Sequence, residues 1–290
     1  MVPMRSLLFA PGNNFRRVEK ALSLNADGVI VDLEDAVALT EKKAAREMVR
    51  KALEIPRRNR LYVRVNALDT DFIQDDLEEV IRPGLDGVVL PKAESAEGIR
   101  YVDWLISQQE KKHGLGSGTL DLIPIIESAL GVVRALEIAS ASKRVSRLAF
   151  GAIDFTLDIG TNFSKSGTEV FYARSQLVIA SSAARIQPPV DTPYPDIQDI
   201  EGLVADTKKV RQLGFFGRLV IHPSQIQPVN EIFTPTADEI EHARRVVEAF
   251  NEAEARGIAA IQLDGKFIDY PVAARAKKVL ELVETLRDKN

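Results

Sequence analysis

Two carboxylates give the first chemical signal. Glu127 closes the apolar run Ile123-Pro124-Ile125-Ile126, and Asp154 closes Leu148-Ala149-Phe150-Gly151-Ala152-Ile153. Apolar runs of this length predict strands buried on both faces. Between them, Leu130 to Ala141 sets Val133, Leu136, Ile138 and Ala139 against Arg134 and Glu137, which predicts a helix. Strand, helix, strand makes a parallel pair, so the two acids lie at the same ends of their strands. Neighbouring strands run about 4.8 Å apart, close enough for both acids to grip one cation. Oxygen-only ligation by few protein groups suits Mg2+. The competing reading is structural: either acid forms an ion pair with Arg64 or Lys92.

The other predicted strand ends are also charged: Glu34 and Asp35, Arg64, Lys92, Asp191 and His222. The planar fork of Arg64 suits a carboxylate or an enolate-type oxygen, and equally suits Glu34 or Asp35 as a structural partner. Lys92 has the position of a Schiff-base lysine, but the surrounding acids favour a protonated, ion-paired ammonium. His222 is a base, a ligand or a structural residue. Arg16, Arg17 and Lys20 follow the first strand beside Gly12-Asn13-Asn14; they either meet a phosphate at a helix N-terminus or form a solvated helix face. Asp269 reads as the N-cap of the last helix.

The elements that must position these groups alternate regularly. Predicted strands are Leu7–Pro11, Gly28–Asp35, Leu61–Asn66, Gly87–Lys92, Ile123–Ser128, Leu148–Asp154, a weak Pro188–Thr192 and Gly217–Pro223, with helices between them, among them Gln176–Ala184. Eight alternations in about 225 residues approach the roughly 250 typical of a (β/α)8 TIM barrel. The first turn lacks the Gly-rich pattern of a doubly wound sheet. The α/β barrel is therefore assigned to residues 1–233. Residues 234–290 form a C-terminal extension of helix, small hairpin and helix. Its signals are the capping box Thr236-Ala237-Asp238-Glu239, the turn Asp264-Gly265 and a helix over Pro271–Lys289. The extension packs on the barrel or on a neighbouring subunit.

Composition narrows the classes. The 290 residues are 45% hydrophobic and 28% charged with net charge −4, which fits a globular protein and argues against nucleic acid as partner. Cysteine is absent, excluding disulfides and thiolate chemistry. No secretory signal and no membrane-length apolar run is apparent, so no membrane partner and a cytoplasmic location are expected.

The motifs together resemble the citrate lyase beta-subunit-like family of the HpcH/HpaI aldolase superfamily. The likeness is carried by Leu8-Phe9-Ala10-Pro11-Gly12-Asn13, Val31-Asp32-Leu33-Glu34-Asp35-Ala36-Val37, Val63-Arg64-Val65-Asn66, Leu90-Pro91-Lys92, Ile126-Glu127-Ser128, Phe150-Gly151-Ala152-Ile153-Asp154, Ile221-His222-Pro223-Ser224-Gln225 and Asp264-Gly265-Lys266-Phe267-Ile268-Asp269. The resemblance implies a Mg2+-dependent, reversible cleavage of a 3-hydroxyacyl-CoA, such as citryl-, malyl- or citramalyl-CoA, to acetyl-CoA and a 2-keto acid. It implies Mg2+ on Glu127 and Asp154, and Arg64 on the keto-acid oxygen, with Glu34, Asp35 and Lys92 supporting them. It implies Asp269 as acid/base, delivered to an adjacent subunit of a homotrimer or hexamer. Arg16, Arg17, Lys20, His222 and Pro223 would hold coenzyme A. Subunits of the citrate lyase complex, which act on a carrier-protein thioester, tend to have Asn at the position of His222 and Glu at that of Ile153. The chain thus looks more like the stand-alone, CoA-dependent branch. A citryl-carrier lyase subunit, a pyruvate aldolase acting on free acids and a non-catalytic acyl-CoA- or keto-acid-binding barrel are the alternatives.

Overall fold

A computed structural model describes Met4–Arg287; Met1–Pro3 and the expected helix end at Lys289 lie outside the described residues. The described chain separates into two compact units, Met4–Asn230 and the residues from Glu231 onward.

The first unit is built on a parallel sheet of seven strands: β1 (Ser6–Pro11), β2 (Gly28–Asp32), β3 (Arg60–Arg64), β4 (Gly87–Leu90), β5 (Asp121–Ile126), β6 (Ala149–Phe150) and β7 (Arg218–Val220). Their order is β6-β5-β4-β3-β2-β1-β7, so each strand from β1 to β6 lies beside the next in sequence. Parallel neighbours need a crossover, and helices supply it: α1 (Phe15–Leu22), α2 (Lys42–Leu53), α3 (Ile73–Val80), α4 (Ala96–Lys112), the short α5 (Ala129–Val133) and α6 (Ala135–Ala139), α7 (Ala152–Asp158), α8 (Phe171–Ala183) and α9 (Ile200–Leu213). All residues of β2 and β4 are buried, as strands covered on both faces must be. Leu7, Ile30, Tyr62, Val89, Ile123, Ala149 and Leu219, at least one from each strand, meet in one cluster, around which the sheet curls. The register sets Asp32 opposite Arg64, which fixes the charged ends of β2 and β3 side by side.

Several elements differ from the sequence expectation. Pro188–Thr192 is not a strand. Val190 bridges Ala149 and Asp191 bridges Arg218 as isolated parallel pairs, because Pro188 and Pro189 have no N–H to extend a ladder. β6 is two residues long, and Asp154 stands in the first turn of α7 rather than at a strand end; Gly151 ends the strand and precedes the helix. β2 stops at Asp32, so Glu34 and Asp35 lie in the turn after it. The helix expected over Leu130–Ala141 breaks at Arg134 into α5 and α6, since Gly131, Val132 and Val133 are weak helix formers. The helix expected over Gln176–Ala184 begins earlier, at Phe171.

Helix α10 (Ile226–Phe233) precedes α11 (Ala237–Glu254). In the second unit, α11 opens with a complete capping box: Thr236 Oγ1 accepts the Glu239 amide at 3.2 Å, and Glu239 Oε2 accepts the Thr236 amide at 2.8 Å. The hairpin pairs β8 (Ile261–Leu263) with β9 (Lys266–Ile268). Its turn residues Asp264 and Gly265 both have positive φ, 50° and 75°, the requirement of a type I′ turn. Ile268 packs with Ala243, Val246, Phe250, Ala273 and Ala276, joining the hairpin to α11 and to α12 (Tyr270–Arg287).

Candidate active site

At the carboxyl end of β5, Glu127 is 6% exposed. Its Oε1 accepts the backbone N–H of Lys92 at 2.7 Å. No cation forms an ion pair with it among the described residues. Burial is the main cause that pushes its carboxyl up to about 8, helped by the charges of Asp154 and Glu34 and opposed by the Lys92 amide and Arg64. The space for this side chain exists because residue 151 is glycine: a Cβ there would stand 2.6 Å from Glu127 Cβ. Glu127 and Asp154 share a cleft of about 510 Å³ with Lys92, Ser128, Leu157 and Asp158. No group of three or more His, Cys, Asp or Glu placed to hold a metal occurs among the described residues. What the cleft offers is a buried carboxylate lacking a counter-cation, with a second acid beside it. A hard ion that takes one or two protein carboxylates and fills its other positions with water or substrate oxygens fits that donor set.

The acids at the end of β2 have partners. Arg64 grips Asp32 with two parallel bonds, Nε to Oδ1 and Nη2 to Oδ2, each 2.7 Å. Its Nη1 lies 3.1 Å from Glu34 Oε2 and 3.6 Å from Asp35, and its guanidinium covers the Phe9 ring at 4.9 Å. Asp32 also accepts the amides of Glu34 at 2.9 Å and Ala36 at 3.1 Å, folding the turn back on itself. Glu34 is buried. Burial raises its pKa, while Arg64 and Lys92 lower it. The Lys92 ammonium stands 2.9 Å from Glu34 Oε1, and that hydrogen bond raises its pKa, the opposite of what a Schiff-base lysine needs. The Lys92 backbone is left-handed, φ 50°, a conformation costing about 1–2 kcal/mol in a residue with a Cβ. The amide bond to Glu127 and the ammonium contact with Glu34 hold it there.

A second cleft, of about 340 Å³, opens beside the ends of β1 and β7. Phe9, Pro11, Arg17, Lys20, His222 and Pro223 line it, so residues some 200 positions apart in sequence share one wall. Arg16 is exposed and is not part of that lining. His222 lies 2.8 Å, Nδ1 to Oγ, from Ser224 and accepts the Ser224 amide at 3.3 Å, capping the turn at Pro223.

Two other charged positions serve differently. Asp191 is fully buried between Arg174 and Arg218, which also hold Asp206. Thr207 Oγ1 accepts a further Arg218 bond at 2.9 Å. Asp191 is therefore structural. Asp269, in the second unit, is half-buried and accepts the Val272 amide at 3.2 Å, as an N-cap does. Sequence reasoning missed Asp32, because the strand was read three residues too long. It also missed Gly151 as the glycine that makes room for Glu127, for which the sequence carries no signal beyond its place between the two acids.

Known proteins match this chain along most of its length. The HpcH/HpaI aldolase/citrate lyase family model matches residues 5–223. Citrate lyase subunit beta of Escherichia coli K12 is 42% identical over 97% of this chain and 93% of its own. Human mitochondrial citramalyl-CoA lyase is 31% identical over 99% of this chain and 88% of its own. The crystal structure of protein CitE from Mycobacterium tuberculosis in complex with magnesium, acetoacetate and coenzyme A superposes with a TM-score of 0.78 at 32% identity, covering 95% of this chain and 96% of that one. Extent of match, sequence identity and fold agree, and the chain belongs to the HpcH/HpaI aldolase/citrate lyase family.

Proposed function

We propose that this protein is a Mg2+-dependent carbon–carbon lyase that reversibly cleaves a 3-hydroxyacyl-CoA, such as citryl-, malyl- or citramalyl-CoA, to acetyl-CoA and a 2-keto acid. The observation that carries the reading is Glu127, a buried carboxylate with no ion-paired cation among the described residues, beside Asp154 in an open cleft. Mg2+ held there would polarise the keto oxygen as a Lewis acid.

The protein groups divide the remaining work. Arg64, held by Asp32, Glu34 and Asp35, is assigned by the resemblance to the oxygen on which charge gathers as the bond breaks. Glu34 and Lys92 hold the Glu127 side of the cleft in place. Arg17, Lys20 and His222 supply a basic wall for the phosphates of coenzyme A. As the carbon–carbon bond breaks, a base takes the 3-hydroxyl proton, the keto group forms, and the acetyl-CoA enolate that leaves needs a proton at carbon. Asp269 is assigned that role as general acid, and in synthesis removes the methyl proton as base. By the same resemblance it serves an adjacent subunit of a homotrimer or hexamer. The reading includes closure into a (β/α)8 barrel, supported by the isolated pairings of Val190 with Ala149 of β6 and of Asp191 with Arg218 of β7.

A carrier-protein thioester is the second reading, favoured by the 42% identity with a citrate lyase subunit beta. Acetyl-CoA release from a panel of 3-hydroxyacyl-CoA thioesters, with Mg2+ and with EDTA, separates the two. Metal-dependent cleavage that is lost in Asp269→Asn supports the stand-alone lyase. No cleavage by folded protein that binds Mg2+ overturns it in favour of the carrier thioester.

A further inference from the structure

Lys42 is the first residue of α2 and is 4% exposed, unusual for a lysine. Its Nζ donates to two consecutive backbone carbonyls, Leu33 at 2.6 Å and Glu34 at 2.7 Å. The Phe72 ring centroid lies 5.9 Å from the ammonium. The acids that face it are Asp32, Asp76, Glu34 and Asp35. Burying an ammonium is costly, and apolar contacts alone would be met better by an apolar side chain.

Gripping two successive carbonyls fixes the peptide planes on both sides of the Glu34 Cα. That sets the direction in which the Glu34 side chain leaves the turn. Glu34 in turn holds the Lys92 ammonium at 2.9 Å, and the left-handed Lys92 backbone presents its N–H to Glu127 at 2.7 Å. A continuous series of contacts therefore runs from the start of α2 to the buried carboxylate. We propose that Lys42 is a positioning residue for the cation site: through the Glu34 backbone and the Glu34–Lys92 pair, it sets where Glu127 stands and hence how tightly the chain binds Mg2+. The proposal rests on the reading of Glu127 and Asp154 as the metal pair. Groups that orient ligands typically change metal affinity about 10–100-fold when removed.

The test is a double-mutant cycle on the full-length chain, read as the Mg2+ dissociation constant by calorimetry, with the melting temperature recorded alongside. Lys42→Met weakens Mg2+ binding at least about ten-fold, whereas in a Glu34→Gln background the same substitution changes it less than about two-fold. Lys42→Met that lowers the melting temperature but binds Mg2+ like the parent overturns the proposal, leaving Lys42 a role in folding alone. Equal weakening in both backgrounds also overturns it, since Lys42 would then not act through Glu34. Should Lys42→Met fail to fold, Lys42→Gln, which keeps one N–H donor without the charge, enters the same cycle. A parent chain that binds no Mg2+ overturns the metal reading itself, an outcome distinct from either of these.

Discussion

Asp191 and Glu127 are both buried carboxylates in the same unit, yet they sit in opposite electrostatic situations. Asp191 lies between two arginines, Arg174 and Arg218, with Asp206 completing a network of two cations and two anions. Among the described residues, Glu127 has one backbone amide, two acids as neighbours, the charge of Arg64 acting against them, and no ion-paired cation. A buried charge stabilises a fold only when it is matched. Asp191 is matched from within the chain and is therefore structure. Glu127 is matched only if something from outside brings the charge, and it faces an open cleft through which an ion can enter.

Removing each acid has a different consequence. Glu127→Gln should lower Mg2+-dependent turnover by about a thousand-fold or more, the scale of losing a main electrostatic contributor, while the variant stays folded. Steady-state assays with a melting curve check this. Asp191→Ala should do the reverse, costing about 3–5 kcal/mol of stability because Arg174 and Arg218 are left buried and under-compensated. Denaturant unfolding measures that loss, and the folded fraction should still bind Mg2+.

The two acids also differ in their pH signature. In the metal-free chain, Glu127 keeps its proton up to about pH 8, whereas an ordinary glutamate releases it near 4.5. The folded state thus binds the extra proton. Stability is full below the ordinary value and falls as pH rises toward 8, by at most about 5 kcal/mol at about 1.4 kcal/mol per unit. Melting temperatures between pH 4.5 and 8 should show this decline in the parent and lose it in Glu127→Gln and in excess Mg2+. A flat profile in the metal-free parent would contradict the assignment of an uncompensated acid.

Smaller changes sharpen the picture. Gly151→Ala drives a methyl into Glu127 and should weaken Mg2+ about 10–100-fold, as read by calorimetry, with an overpacking loss of about 1–3 kcal/mol in stability. Lys20→Ala, in the second cleft, should raise KM for a CoA thioester about ten-fold, the scale of one charge-assisted contact, and leave kcat nearly unchanged. A drop in kcat with constant KM would argue against a coenzyme A wall at that position.

Much of this arrangement was legible in the sequence. Apolar runs ending in charged residues located β2, β4, β5 and β6, the last two by a single acid each, and the capping box and Asp264-Gly265 located α11 and the hairpin. The pairing of β5 with β6 follows from strand, helix and strand alone. Element boundaries and partner choice were less legible. Periodicity does not show where a strand stops, so Asp154 was placed at a strand end although Gly151 turns the chain into α7 first. Arg64 could have paired with any of three acids in the same turn. Asp32 takes the bidentate contact because register sets it directly opposite. Lys42 looks like a solvated helix residue by type and position, and only the tertiary fold buries it.

The most direct test of the central claim is a calorimetric Mg2+ titration of the metal-free parent, Glu127→Gln and Asp191→Asn under identical conditions. The account predicts one Mg2+ per chain in the parent and in folded Asp191→Asn, and no measurable binding in Glu127→Gln. Mg2+ binding to Glu127→Gln with the parent's affinity would contradict it.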